Sequence, residues 1–208
     1  MLESLPPFAV LWRPLLSLIL ASAIVMGSPG PSTISLTAVA AAFGANRSLP
    51  YLAGLVLGTA IVLAAVLAGL VTALLAVPSL AIALSIAATL YLLYLAWRIA
   101  SAPPLNLRTS AAQPPSLVAG LLLGIANPKA YAAIAAVVAG NALVAQSPGL
   151  DAALKGIVLM AMIVLIHVVW MIIGAIFARA LADPRRSRIA NIVLAIALAA
   201  SCLLALPW

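Results

Sequence analysis

Two short clusters interrupt an otherwise apolar chain with groups able to hold a charged solute: Ser28-Pro29-Gly30-Pro31-Ser32 and Asn127-Pro128-Lys129. Proline removes a backbone donor and clashes with the preceding turn, at roughly 3 kcal/mol in a helix interior. In lipid no water satisfies the groups so freed. A helix broken there exposes carbonyls at the end of one half and N–H groups at the start of the next. Carbonyl ends suit cations and N–H ends suit anions, the two ends of a zwitterion. Ser28, Ser32, Asn127 and the more distant Thr59 add neutral hydrogen-bonding groups. A single intramembrane proline reads best as a kink that eases packing; two similar breaks favour a binding site.

Lys129 is the one strongly charged residue deep in an apolar stretch. A central lysine costs about 2.5–3.5 kcal/mol on insertion scales, and the start of a half-helix disfavours a cation. It needs a partner, and the only acids are Glu3, Asp151 and Asp183, none of them inside a predicted span. Two partners stay open: the carbonyl end of the preceding half-helix, or a carboxylate on a bound solute. His167, the single histidine, lies three residues before Trp170. It either hydrogen-bonds a neighbouring helix or carries a proton, since an unperturbed imidazole titrates at about pH 6.5.

Ser28 or Ser32 with Lys129 or His167 would make a hydrolytic dyad on paper. No GxSxG elbow, HExxH pair or acidic metal cluster accompanies them, and no cofactor is expected. An intramembrane enzyme and a non-transporting membrane subunit are therefore the alternatives to a small-solute transporter. The lone Cys202 excludes an internal disulfide and a CxxC redox pair.

The elements that position these groups are membrane helices. Of 208 residues, 67% are apolar and 6% charged, against about 25% charged in soluble domains. Between Arg47 and Arg98 no charge occurs, long enough for two spans of roughly 20 residues folded back at Pro78. Strand-like alternation is absent. Hydropathy and proline punctuation predict six spans: 14–43, 51–77, 79–100, 116–143, 153–178 and 188–207. Arg13, an apolar run and "ASA" at 21–23 resemble a secretory signal, but the run continues past them, and a retained first helix is expected.

The formal charge of +7 is spread between the apolar stretches and forms no patch, so nucleic acid is not expected as a partner. Arg47, Arg98, Arg108, Arg179, Arg185, Arg186 and Arg188 fall on one side of the six-span plan, Arg13 and Lys155 on the other. The positive-inside rule makes the arginine side cytoplasmic and both termini external.

The second break follows the first by 98 residues, close to half the chain, and "GLVLGTAIVLAA" (54–65) aligns with "GIVLMAMIVLIH" (156–167). Three spans per half is an odd number, so the halves run oppositely through the membrane. The expected fold is all-α: one transmembrane domain of two inverted three-helix repeats, about 1–105 and 106–208, each with a broken first helix. "GLVLG" (54–58) and "GLLLG" (120–124) are GxxxG motifs, expected to let helices pack closely.

The "SPGP" break, the glycine-spaced second span, "NPKA" (127–130) and the arginine-rich loop before the last span resemble the lysine exporter (LysE/RhtB) family along essentially the whole chain. The resemblance implies an inner-membrane exporter of amino acids or close derivatives, driven by a proton or ion gradient. Pro29, Gly30, Pro31, Asn127, Pro128 and Lys129 match its two signature breaks. Thr59 and His167 stand where many members carry aspartates. The resemblance therefore implies neither a carboxylate proton relay nor a cationic substrate, and neutral amino acids are the expected solutes. The lipid bilayer and a homo-oligomer are the remaining candidate partners.

Overall fold

A computed structural model describes residues 8–69, 113–180 and 184–203, with isolated positions between 82 and 101. The predicted third span, the fold-back at Pro78, and Glu3, Arg108 and Asp183 lie outside the described residues. Seven helices are described: α1 (Phe8–Val25), α2 (Pro31–Phe43), α3 (Ala45–Leu67), α4 (Leu117–Ala126), α5 (Pro128–Ala139), α6 (Pro148–Ala180) and α7 (Pro184–Leu203). The described chain is helical and contains no strand.

Both expected breaks are present. Residues 26–30 separate α1 from α2, and Asn127 alone separates α4 from α5, with a bend of 57°. Pro31 and Pro128 open the second half-helices. At that position the missing N–H would have had no intrahelical partner, and the fixed φ suits a helix start. By length and composition α3 and Pro148–Phe177 of α6 can each cross a membrane, and the bent pair α4–α5 makes a third candidate span. The chain is thus a helical membrane protein of several spans.

Four helices begin earlier than hydropathy predicts, α6 at Pro148 rather than 153 and α7 at Pro184 rather than 188 among them. Helix α1 starts at Phe8 rather than 14 and runs through Pro14; α3 starts at Ala45 rather than 51 and runs through Pro50. Each proline forfeits one hydrogen bond within two turns of a helix start, where unpaired backbone groups already occur. The expected loop between the first two spans shrinks to Gly44. Its φ is 82°, and its N–H bonds the Ala40 carbonyl at 2.9 Å. A side chain is strained at such a φ.

The GxxxG motifs make the closest helix contact. A methyl on Gly54 would overlap the Leu117 carbonyl, and one on Gly120 the Tyr51 carbonyl. One on Gly124 would lie 2.9 Å from Gly58 Cα. With four glycines facing one another, the backbones of α3 and α4 touch directly. Around this contact sit two apolar clusters. One joins α2, α3, α4, α6 and α7 through Leu36, Tyr51, Leu123, Met171 and Ala195. The other joins α1, α3, α5 and α6 through Leu18, Val62, Ile134, Leu159 and Ile163.

Lys155 is not a free charge marking one membrane face. It is 6% exposed, pairs with Asp151 Oδ2 at 2.6 Å and donates to the Val138 carbonyl at 3.0 Å. Asp151 Oδ1 accepts from the N–H groups of Leu143 (2.6 Å) and Val144 (3.0 Å). The pair fastens the loop between α5 and α6 to the start of α6.

Candidate functional site

The two breaks meet. Asn127 caps α5, its Oδ1 accepting from Lys129 N at 3.2 Å, while its Nδ2 donates to Ser32 Oγ at 2.8 Å. Serine 32 lies in the first turn of α2, so one asparagine both starts its own half-helix and grips the other. Lys129, two residues on, reaches back to the loop between α1 and α2. Its Nζ donates to the carbonyls of Ser28 and, at 3.2 Å, Pro29. These carbonyls belong to the opposite break, not to the half-helix that precedes Lys129 in the chain.

Every carbonyl freed at the first break from Gly27 to Gly30 has a donor. The Gly27 carbonyl accepts from Trp170 Nε1 at 3.1 Å, those of Ser28 and Pro29 accept from Lys129, and that of Gly30 accepts from Ile34 N and Thr33 Oγ1. Thr33 Oγ1 also accepts from Gly30 N at 2.9 Å, closing the turn on itself. Buried backbone groups require such partners, and here three elements provide them.

Helix α6 supports the break from behind. Thr37 Oγ1 shares its one hydrogen between the carbonyls of Thr33 (2.9 Å) and Trp170 (3.1 Å). A methyl on Gly174 would overlap the Thr37 carbonyl, so α2 and α6 are in backbone contact there. One turn before Trp170 the same helix presents His167.

A cavity of about 40 Å³ lies between these elements. Gly30, Ser32, Thr59, Asn127, Lys129 and His167 line it, drawn from α2, α3, α5, α6 and both breaks. Thr33 and the apolar Met26, Ala130, Ala133, Ile134, Ile163 and Ile166 complete the wall. Of the predicted site residues, Ser28, Pro29, Pro31 and Pro128 shape the breaks without lining the cavity. Trp170 and Thr33 were not among the expected residues. An indole N–H three residues beyond a mid-span histidine was a usable signal, because it must find an acceptor in lipid; Thr33 had none.

Two polar atoms lining the cavity are buried without a partner: Thr59 Oγ1 and His167 Nε2, both on residues 5% exposed. His167 Nδ1 lies 2.7 Å from the Ile163 carbonyl. A carbonyl only accepts, so Nδ1 carries the hydrogen and Nε2 of the neutral ring is an acceptor. The hydroxyl of Thr59 both donates and accepts. The cavity thus presents one cation and neutral hydrogen-bonding groups, with no carboxylate among its lining residues.

The serines form no dyad with a base. Ser28 Oγ donates to the Val25 carbonyl at 2.8 Å, Ser32 Oγ accepts from Asn127, and Lys129 is engaged on carbonyls. Among the described residues no group of His, Cys, Asp and Glu could hold a metal ion.

Residues 23–206 match the LysE type translocator family. The chain belongs to that family. The match runs from the last turn of α1 to beyond α7 and includes both breaks. No curated protein and no solved structure matches the chain. Membership in the LysE type translocators makes it a multi-pass membrane transporter, of a family that exports amino acids or related compounds.

Proposed function

We propose that this translocator exports neutral amino acids, or closely related small zwitterionic metabolites, across the bacterial inner membrane. An ion or proton gradient drives it. The observation that carries this reading is the meeting of the two breaks, Asn127 on Ser32 and Lys129 on the Ser28 and Pro29 carbonyls, beside one cavity.

Charge supports the neutral solute. A lysine-like solute would bring a second cation to a site whose lining holds Lys129 and no acid, and like charges out of water repel strongly. A zwitterion brings no net charge and offers a carboxylate for Lys129 or for the N–H ends of α2 and α5. His167 is proposed as the proton carrier, because no acid lines the cavity and its Nε2 is available to accept. In the proposed plan of six spans and two inverted repeats (about 1–105 and 106–208), each broken helix leads its repeat. Both termini are external.

Counterflow of a labelled amino-acid panel in proteoliposomes tests the reading. Exchange of neutral members, and not of lysine or arginine, is expected. Exchange of none, or of the cationic members alone, overturns it.

A further inference from the structure

Three consecutive carbonyls of the first break, those of Gly27, Ser28 and Pro29, are held by side chains from distant parts of the chain. Carbonyl oxygens in the loop between two half-helices are acceptors with no intrahelical partner and no hydrogen of their own. They recognise any compact cation bearing N–H groups, and Lys129 is the one the chain supplies. Among the described residues no acid shares this role. Asp151, the acid among the described residues, is committed to Lys155 and to two backbone N–H groups. Gly30 makes room for the lysine stem: a Cβ there would lie 2.5 Å from Lys129 Cδ and 3.0 Å from Nζ. The side chain thus lies along the broken backbone and ends on it.

We propose that the Ser28 and Pro29 carbonyls form an alkylammonium site that Lys129 fills from within the chain, and that the ammonium of a transported zwitterion replaces it there while the released Lys129 takes the carboxylate. The exchange rests on the transport reading above; the carbonyl site does not. The exchange keeps the local charge constant, because a zwitterion adds none. An amine without a carboxylate would leave Lys129 with no acceptor, and an acid without an amine would leave the carbonyls with no donor. Both ends of the solute are therefore required together. Once Lys129 lacks its ammonium, the requirement changes: simple amines become ligands.

The carbonyl site is tested on purified protein by titrating Lys129→Ala and Lys129→Met with propylammonium, and with tetramethylammonium as a cation lacking N–H groups. Thermal unfolding is one readout. The emission of Trp170, which bonds the neighbouring Gly27 carbonyl, is the other, with Trp12, Trp97 and Trp208 changed to Phe. Propylammonium is expected to raise the Tm of both variants saturably and to shift the emission. Tetramethylammonium acts about tenfold more weakly, as the loss of a charged hydrogen bond requires, and the unsubstituted protein responds to neither. No N–H-dependent response, or an equal response in the unsubstituted protein, overturns the site. So does failure of both variants to fold even in propylammonium, since a filled site restores the missing donor.

Counterflow tests the exchange. For each neutral amino acid carried, its amine and its acid analogue should each be carried at least about tenfold less well; equal carriage of either overturns the exchange. A propylammonium response without transport of any amino acid overturns the transport reading and the exchange, and leaves the carbonyl site standing.

Discussion

Asn127 Nδ2 donates to Ser32 Oγ at 2.8 Å although 95 residues separate them. Through that bond the start of α5 and the start of α2 hold each other, and the two breaks share one cavity wall. Loss of either group leaves a buried partner unsatisfied, which costs more than the bond itself contributes.

Asn127→Ala removes both this bond and the cap on Lys129 N. Loss of a cap of this kind destabilises by about 1–2 kcal/mol, which lowers the Tm without preventing insertion. Counterflow should be abolished. An Asn127→Ala protein that exchanges solute at the unsubstituted rate would show that the breaks are structural only.

Thr59→Val has the opposite sign for stability. The hydroxyl is buried with no partner, and an unmet group of this kind costs about 1–3 kcal/mol. The isosteric valine should unfold at a higher temperature and carry solute less well. A fall in Tm would mean that the hydroxyl is bonded in the protein.

The α3–α4 contact predicts a severe effect from one methyl group. Gly58→Ala places a Cβ against the Leu121 carbonyl, and overpacking of this kind costs about 1–3 kcal/mol. Gly149→Ala meets nothing within 4 Å and serves as the control. Detergent-solubilised Tm values should separate the two by several degrees.

His167→Gln separates coupling from binding. Counterflow needs no net proton movement and should persist, whereas accumulation driven by a pH gradient should be lost. Retained gradient-driven accumulation would remove His167 as the proton carrier.

Orientation is open to cysteine labelling in a Cys202→Ala background. Asn46 and Ala145 are both exposed, at opposite ends of the proposed plan. Impermeant maleimide added outside intact cells should label Ala145→Cys and spare Asn46→Cys. The reverse pattern would invert the topology.

The breaks were legible in the sequence because proline lacks an N–H wherever it stands. Pro31 and Pro128 mark their half-helices without reference to any neighbour. Glycines four apart announced the α3–α4 contact for a similar reason: only a missing side chain lets backbones touch. Helix starts were misread at Pro14 and Pro50 because a proline near a helix end removes little, and local sequence does not say how much.

What the sequence alone determined is where the chain must be irregular and which polar groups lie in apolar stretches. Partnership was decided by the tertiary structure. Lys129 ends on carbonyls 100 and 101 residues away, and Trp170 on one 143 residues away. The physical reason is that a buried charge or freed carbonyl states a need for a partner through its own chemistry. Which group meets that need depends on distances that exist only once the helices are packed.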